Sequence, residues 1–125
     1  MSEKNIQQFE NQEFINIESF RKDGSGKKTP VWVLKDGNVL YIQTGANSYK
    51  LKRMKHTPHV RVAPCKVDGT VIGEWVNGEA FIPLGAEERR LDQLYHEKYD
   101  AEIAKLTDPE MLADMETNIS WAIRL

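Results

Sequence analysis

The sequence predicts a mostly β protein: a small antiparallel barrel with flanking helices. Three observations predict it. Segments such as 13–21 (EFINIESFR) and 118–124 (NISWAIR) alternate in side-chain character, and a period of two belongs to strands. Turn dipeptides, Asp36-Gly37 and Asp68-Gly69, separate such segments at short intervals, which is hairpin chemistry. About six strands so spaced suggest closure into a small barrel.

Each element follows in order. Residues 2–10 are polar with Ile6 and Phe9 three apart, and predict a short helix. The first strand is 13–21, and Lys22-Asp23-Gly24-Ser25-Gly26 is a turn. Residues 28–34 (KTPVWVL) form the second strand, with Pro30 at its start or on an edge because proline donates nothing to a ladder. Asp36-Gly37 turns into a third strand at 39–43. A helix opens at Asn47-Ser48 and ends near His56, since Pro58 forbids continuation. Leu51 and Met54 make its buried side.

Beyond it, 60–65 is a strand, and Asp68-Gly69 leads into a long β segment at 71–84. Asn77-Gly78 reads there as a bulge, with a hairpin that splits the segment in two as the alternative. Residues 86–99 are helical, with Leu91, Leu94 and Tyr95 on one face. Pro109 starts a second short helix as its first residue, and 118–124 is the last strand. Trp32, Trp75 and Trp121 all fall in strands and read as core or interface residues.

At 125 residues the chain is expected to be a single domain, residues 1–125. Its formal net charge of −2 argues against wholesale attraction to nucleic acid or membrane. The charge is uneven. Residues 48–66 carry six Lys/Arg and no acid, whereas 86–116 carry ten Asp/Glu against four Lys/Arg. This pattern predicts one positive site and one acidic, solvated segment. The lone cysteine, Cys65, permits no intrachain disulfide and suits a reducing cytoplasm. No apolar run reaches transmembrane length.

The most informative stretch is 40–65, LYIQTGANSYKLKRMKHTPHVRVAPC, which reads strand, turn, short helix, strand. A helix N-terminus presents unpaired N–H groups to an anion. Hydroxyls of Thr44 and Ser48 with the ammonium of Lys50 would complete a phosphate cradle. The bland alternative is an ordinary capped helix start. The run Lys50, Lys52, Arg53, Lys55 has its own bland reading, a wet helix face. A regular helix puts Lys50 and Arg53 on one face. His56, His59, His96 and Cys65 lack the clustering a zinc site needs. No nucleophile elbow or Walker loop is present.

Three pieces in order, FRKDGSGKKTPVWV, LYIQTGANSYKLKRM and PHVRVAPCKVDGTVIGEWVNGEA, resemble the pyridoxamine 5′-phosphate oxidase-like split-barrel superfamily, and more narrowly its branch labelled F-420-dependent. The resemblance implies a six-stranded FMN-binding split barrel. It also implies a homodimer with cofactor in a groove at the subunit interface. The family's Thr-Gly-x-x-Ser-x-Lys pattern falls on Thr44, Gly45, Ser48 and Lys50, with Lys52 and Arg53 as the basic positions beyond. Thr29, Pro30, Val31 and Trp32 match the strand whose backbone faces the flavin ring. Arg61 and Val62 match a strand near the cofactor.

Two positions depart from the pattern. Gln43 replaces an arginine common in deazaflavin-using members, and Tyr49 replaces a small residue. Both weaken coenzyme F-420 and leave FMN in place. The implied function is an FMN- or deazaflavin-dependent oxidoreductase acting on a small organic substrate. The absence of an evident acid–base pair suits chemistry carried by a ring. The alternative is a flavin, haem or tetrapyrrole carrier without turnover, with His56 or His59 as axial ligand. A nucleic-acid binder is disfavoured by the net charge and by the lack of aromatics interleaved with basic residues.

Overall fold

The computed structural model describes residues 6–44, 49–104 and 119–125; for residues 44, 49–52 and 103–104 it describes the backbone alone. The element order is β1 (Phe14–Phe20), β2 (Gly26–Trp32), β3 (Leu34–Asp36), β4 (Val39–Thr44), α1 (Tyr49–His56), β5 (His59–Cys65), β6 (Val76–Phe81), α2 (Gly85–Ala104) and β7 (Ile119–Arg124). Seven strands form one antiparallel sheet in the order β2-β1-β5-β6-β7-β4-β3. The two strands at its ends, β2 and β3, are joined by a single residue, Val33. Consecutive Cα atoms lie about 3.8 Å apart, so the sheet has to curl until its edges meet. The result is a split barrel.

The expectation of about six strands is corrected here. What reads as one strand at 28–34 is two, broken at Val33: β2 pairs with β1, and β3 pairs with β4. The break has a local cause. The Val33 carbonyl accepts hydrogen bonds from Tyr99 Oη (2.5 Å) and Lys98 Nζ (2.8 Å), both on α2. Its N–H is shared between the Glu13 carbonyl (3.2 Å) and Tyr99 Oη (3.1 Å).

Strand alternation sorts the core into two layers. Ile15, Ile17, Val33, Leu40, Ile42, Val60, Val62, Trp121 and Ile123 fill the interior with Met54 of α1 and Phe9. The residues between them face outward. On one flank α2 covers that outer surface: Tyr41, Leu91, Tyr95 and Tyr99 are buried together, against Trp32 and Leu34. The Trp32 and Tyr99 rings stack at 4.7 Å and 6°.

The hairpins form where their glycines take positive φ. Gly24 (φ 88°) and Gly37 (φ 60°) turn β1 into β2 and β3 into β4. The segment 71–84 is not one long strand. Only Val76–Phe81 is regular, preceded by an isolated bridge between Cys65 and Val71. The Gln8 side chain takes both backbone polar groups of Glu74, at 2.9 Å each, in place of a neighbouring strand. Trp75 therefore lies just outside β6. No bulge occurs at Asn77-Gly78, which pair in register with Arg61 and Val60. Gly78 is needed for closeness: a Cβ there would stand 2.6 Å from Ile123 Cγ2.

The helix at 86–99 is confirmed and longer, reaching Ala104. The helix expected from Pro109 lies outside the described residues. No described helix is long and apolar enough to cross a membrane.

Candidate functional site

The candidate site grows from the connection between β4 and α1. Thr44 ends β4 and Tyr49 and Lys50 begin α1; Gly45 and Ser48, the centre of the expected cradle, lie outside the described residues. α1 stops where Pro58 requires, and the Thr57 N–H closes its last turn on the Arg53 carbonyl (2.8 Å). Met54 anchors the helix in the barrel interior, so α1 closes one end of the barrel.

Arg53 is the expected site residue whose side chain is most firmly placed. Its Nε donates to Ser19 Oγ at 2.6 Å, and Ser19 is fully buried in β1. This bond ties α1 to the β1–β2 hairpin. Burial, and after it the Arg21 guanidinium nearby, hold the Arg53 pKa below its ordinary value. Phe20, Arg21, Lys22, Arg53 and His56 line an open pocket of about 210 Å³ between hairpin and helix. Arg53, Lys55 and His56 also lie in the last turn of α1, where cations complement the helix dipole.

β2 supplies a second feature. It pairs with β1 on one edge and, among the described residues, with no strand on the other. The backbone of 26–32 thus keeps one row of polar groups off the ladder. Cross-strand partners share a face. Thr29 and Val31, opposite Ile17 and Ile15, therefore face the barrel interior, while Pro30 and Trp32 face outward. Pro30 sits in mid-strand, and the open edge tolerates it.

Gln43 is engaged elsewhere. Its Nε2 donates to Asp92 Oδ1 of α2 (2.6 Å) and to Tyr41 Oη (3.2 Å). Tyr41 Oη in turn lies 2.6 Å from Ser120 Oγ and 3.3 Å from Asp92 Oδ1. Burial, first among its causes, raises the Tyr41 pKa. Gln43 and Trp32 thus both face α2, whereas Arg53 faces the hairpin.

Arg61 lies 3.1 Å from Glu18 and, with Lys28, against the Trp75 ring. Cys65 is buried, and burial raises its pKa, with Asp68 adding to the effect. Among the described residues no three His, Cys, Asp or Glu side chains gather closely enough to hold a metal.

Sequence reasoning passed over Ser19, Arg21, Lys22, Asp92 and Tyr99. Arg21 and Lys22 carried a signal, two cations abutting a glycine-rich turn. The others are brought in by pairing and by α2, over separations no local pattern encodes.

No family model matches this sequence, and no curated protein matches it. Solved structures do. A candidate pyridoxamine 5′-phosphate oxidase from Listeria innocua superposes with a TM-score of 0.68 at 17% identity, covering 96% of this chain and 89% of that one. An F-420 reductase gives 0.65 at 18% identity, covering 99% and 94%. A heme binding protein from Mycobacterium smegmatis gives 0.73 at 12% identity; the match covers 98% of this chain but half (50%) of that one. These likenesses establish the fold: a split barrel of the pyridoxamine 5′-phosphate oxidase-like kind.

Proposed function

We propose, from the pyridoxamine 5′-phosphate oxidase-like split barrel this chain adopts, that it binds FMN and acts as a cytoplasmic, homodimeric flavin-dependent oxidoreductase on a small organic substrate. One observation carries the reading. The open backbone edge of β2 and the cation-bearing helix α1 belong to the same end-to-end unit, β1–β2 hairpin to α1, joined by the Arg53–Ser19 bond.

The residues fit such a cofactor. A flavin ring presents donors and acceptors along its edge, and the unladdered groups of 29–32 offer complementary partners. Thr44, the turn after it with Gly45 and Ser48, Tyr49, Lys50 and Arg53 would hold the phosphate. When bound, a flavin supplies hydride acceptance and donation; the chain supplies position and charge. Arg53, fixed on Ser19, neutralises the phosphate without having to be ordered first. Gln43 holds the end of β4 through Asp92, and so positions Thr44 rather than touching the cofactor. The exposed face of β2 is where the second subunit packs.

Coenzyme F-420 is the alternative ring. A second reading, a haem or tetrapyrrole carrier, draws on His56 at the pocket beside α1. The test is the visible spectrum of the purified protein, followed by parallel titrations with FMN, F-420 and haem. Selective FMN binding with reductase turnover supports the proposal. A haem spectrum without turnover replaces it with the carrier. Co-purification of tagged with untagged subunits tests the dimer.

A further inference from the structure

Phe20, Arg21 and Lys22 come from the end of β1 and the hairpin after it; Arg53 and His56 come from α1. They meet around one open pocket of about 210 Å³. That is below the roughly 300–1,000 Å³ of drug-sized sites, so its occupant is small. The Phe20 ring stacks on His59 at 5.5 Å and 19°, which fixes an aromatic surface in the lining. The rest of the lining is cationic or imidazole, with no carboxylate.

The carboxylate that follows Lys22 in sequence, Asp23, is engaged within its own turn: Oδ1 accepts from the Ser25 N–H (2.9 Å) and Ser25 Oγ (2.7 Å). Arg53 spends Nε on Ser19, one of its five donors, and that bond fixes its direction. Complementing the helix dipole explains cations on α1. It does not explain Arg21 and Lys22, which belong to the hairpin; Arg21 gives one Nη1 hydrogen bond to Ser25 Oγ (3.1 Å) and keeps its other donors for a ligand. Like charges held together are relieved by an anion, and a guanidinium fork matches a carboxylate in two-pronged fashion.

We infer that this pocket binds a small organic anion with a flat apolar body, of the aromatic carboxylate class, through Phe20, Arg21 and Lys22, beside the flavin phosphate cradle with which it shares Arg53. Only the sharing of Arg53 with a cradle rests on the proposed function; the pocket itself stands without it.

The experiment is calorimetric titration of the full-length protein, at fixed ionic strength, with benzoate, benzyl alcohol and inorganic phosphate. FMN is titrated in parallel. The variant is Arg21→Gln with Lys22→Gln, both exposed and outside the cradle, its folding checked by circular dichroism. Benzoate should bind at least about tenfold more tightly than either control, and the variant should lose about tenfold in benzoate affinity, with FMN affinity unchanged. Absence of benzoate binding, phosphate binding as tightly as benzoate, or a variant with unaltered benzoate affinity overturns the inference. A parallel fall in FMN affinity would place Arg21 and Lys22 in the phosphate cradle itself and overturn the inference of a second ligand. Benzoate binding without any FMN binding leaves the pocket standing and removes the flavin reading.

Discussion

The Tyr99 hydroxyl lies 2.5 Å from the Val33 carbonyl oxygen, at the single residue where β2 becomes β3. It also lies 2.7 Å from the Glu13 carbonyl and accepts the Val33 N–H. A hydroxyl has one proton, so it serves one carbonyl at a time; Lys98 covers Val33 as well. One side chain of α2 thus staples the corner that closes the barrel. Burial, the leading cause, pushes the Tyr99 pKa well above its ordinary value, so the hydroxyl keeps its proton throughout the working pH range.

Tyr99→Phe keeps the ring stacked on Trp32 and removes the staple. The Val33 N–H keeps the Glu13 carbonyl and the Val33 carbonyl keeps Lys98, so the loss is that of a typical hydrogen bond, about 0.5–1.5 kcal/mol. Chemical denaturation followed by tryptophan fluorescence should show a loss of that size. An unchanged midpoint would mean that the corner holds without α2.

This corner also marks the limit of what the sequence reveals. The hairpins at Asp23-Gly24 and Asp36-Gly37 are written locally, in residues that turn the chain by themselves. The break at Val33 depends on a tyrosine 66 residues away, so 28–34 reads as one strand. The site divides in the same way. Arg53 and the helix that carries it are legible from a basic run ending at a proline. The engagement of Gln43 by Asp92 is not, because it needs α2 laid against β4. Val71–Trp75 reads as strand by composition, yet Gln8 takes the backbone groups of Glu74 that a ladder would use.

Gln43 and Asp92 should behave as one unit. Gln43→Ala and Asp92→Ala each break the 2.6 Å bond. In a double-mutant cycle the combined loss should fall short of the sum by at least about 0.5 kcal/mol. Strict additivity would show that the contact contributes nothing in solution.

Gly78→Ala should destabilise the protein. The new methyl would stand 2.6 Å from Ile123, which is fully buried where β6 meets β7. Overpacking of this kind costs about 1–3 kcal/mol. A pair of variants, Gly78→Ala alone and with Ile123→Val, measured by thermal unfolding, should show the second recovering part of the loss.

The β1–β2 hairpin should loosen in acid. Hydrogen bonds from Ser25, side chain first and then backbone, lower the Asp23 pKa below its ordinary 3.8. A carboxyl whose folded pKa is depressed adds its stabilisation fully above the ordinary value and loses it as pH falls through the folded one. Amide exchange at Ser25, corrected for its intrinsic pH dependence, should therefore show constant protection above about pH 5 and falling protection below about pH 4. Asp23→Asn should remove most of that step.

The central claim is that the β4–α1 connection holds a flavin phosphate. The most direct measurement compares FMN with riboflavin, which lacks the phosphate, on the unaltered protein and on the Ser48→Ala, Lys50→Ala double variant. The account predicts much tighter binding of FMN than riboflavin to the unaltered protein, and near equality of the two on the variant. Equal binding of the two by the unaltered protein, or an FMN preference that survives the double substitution, would contradict it.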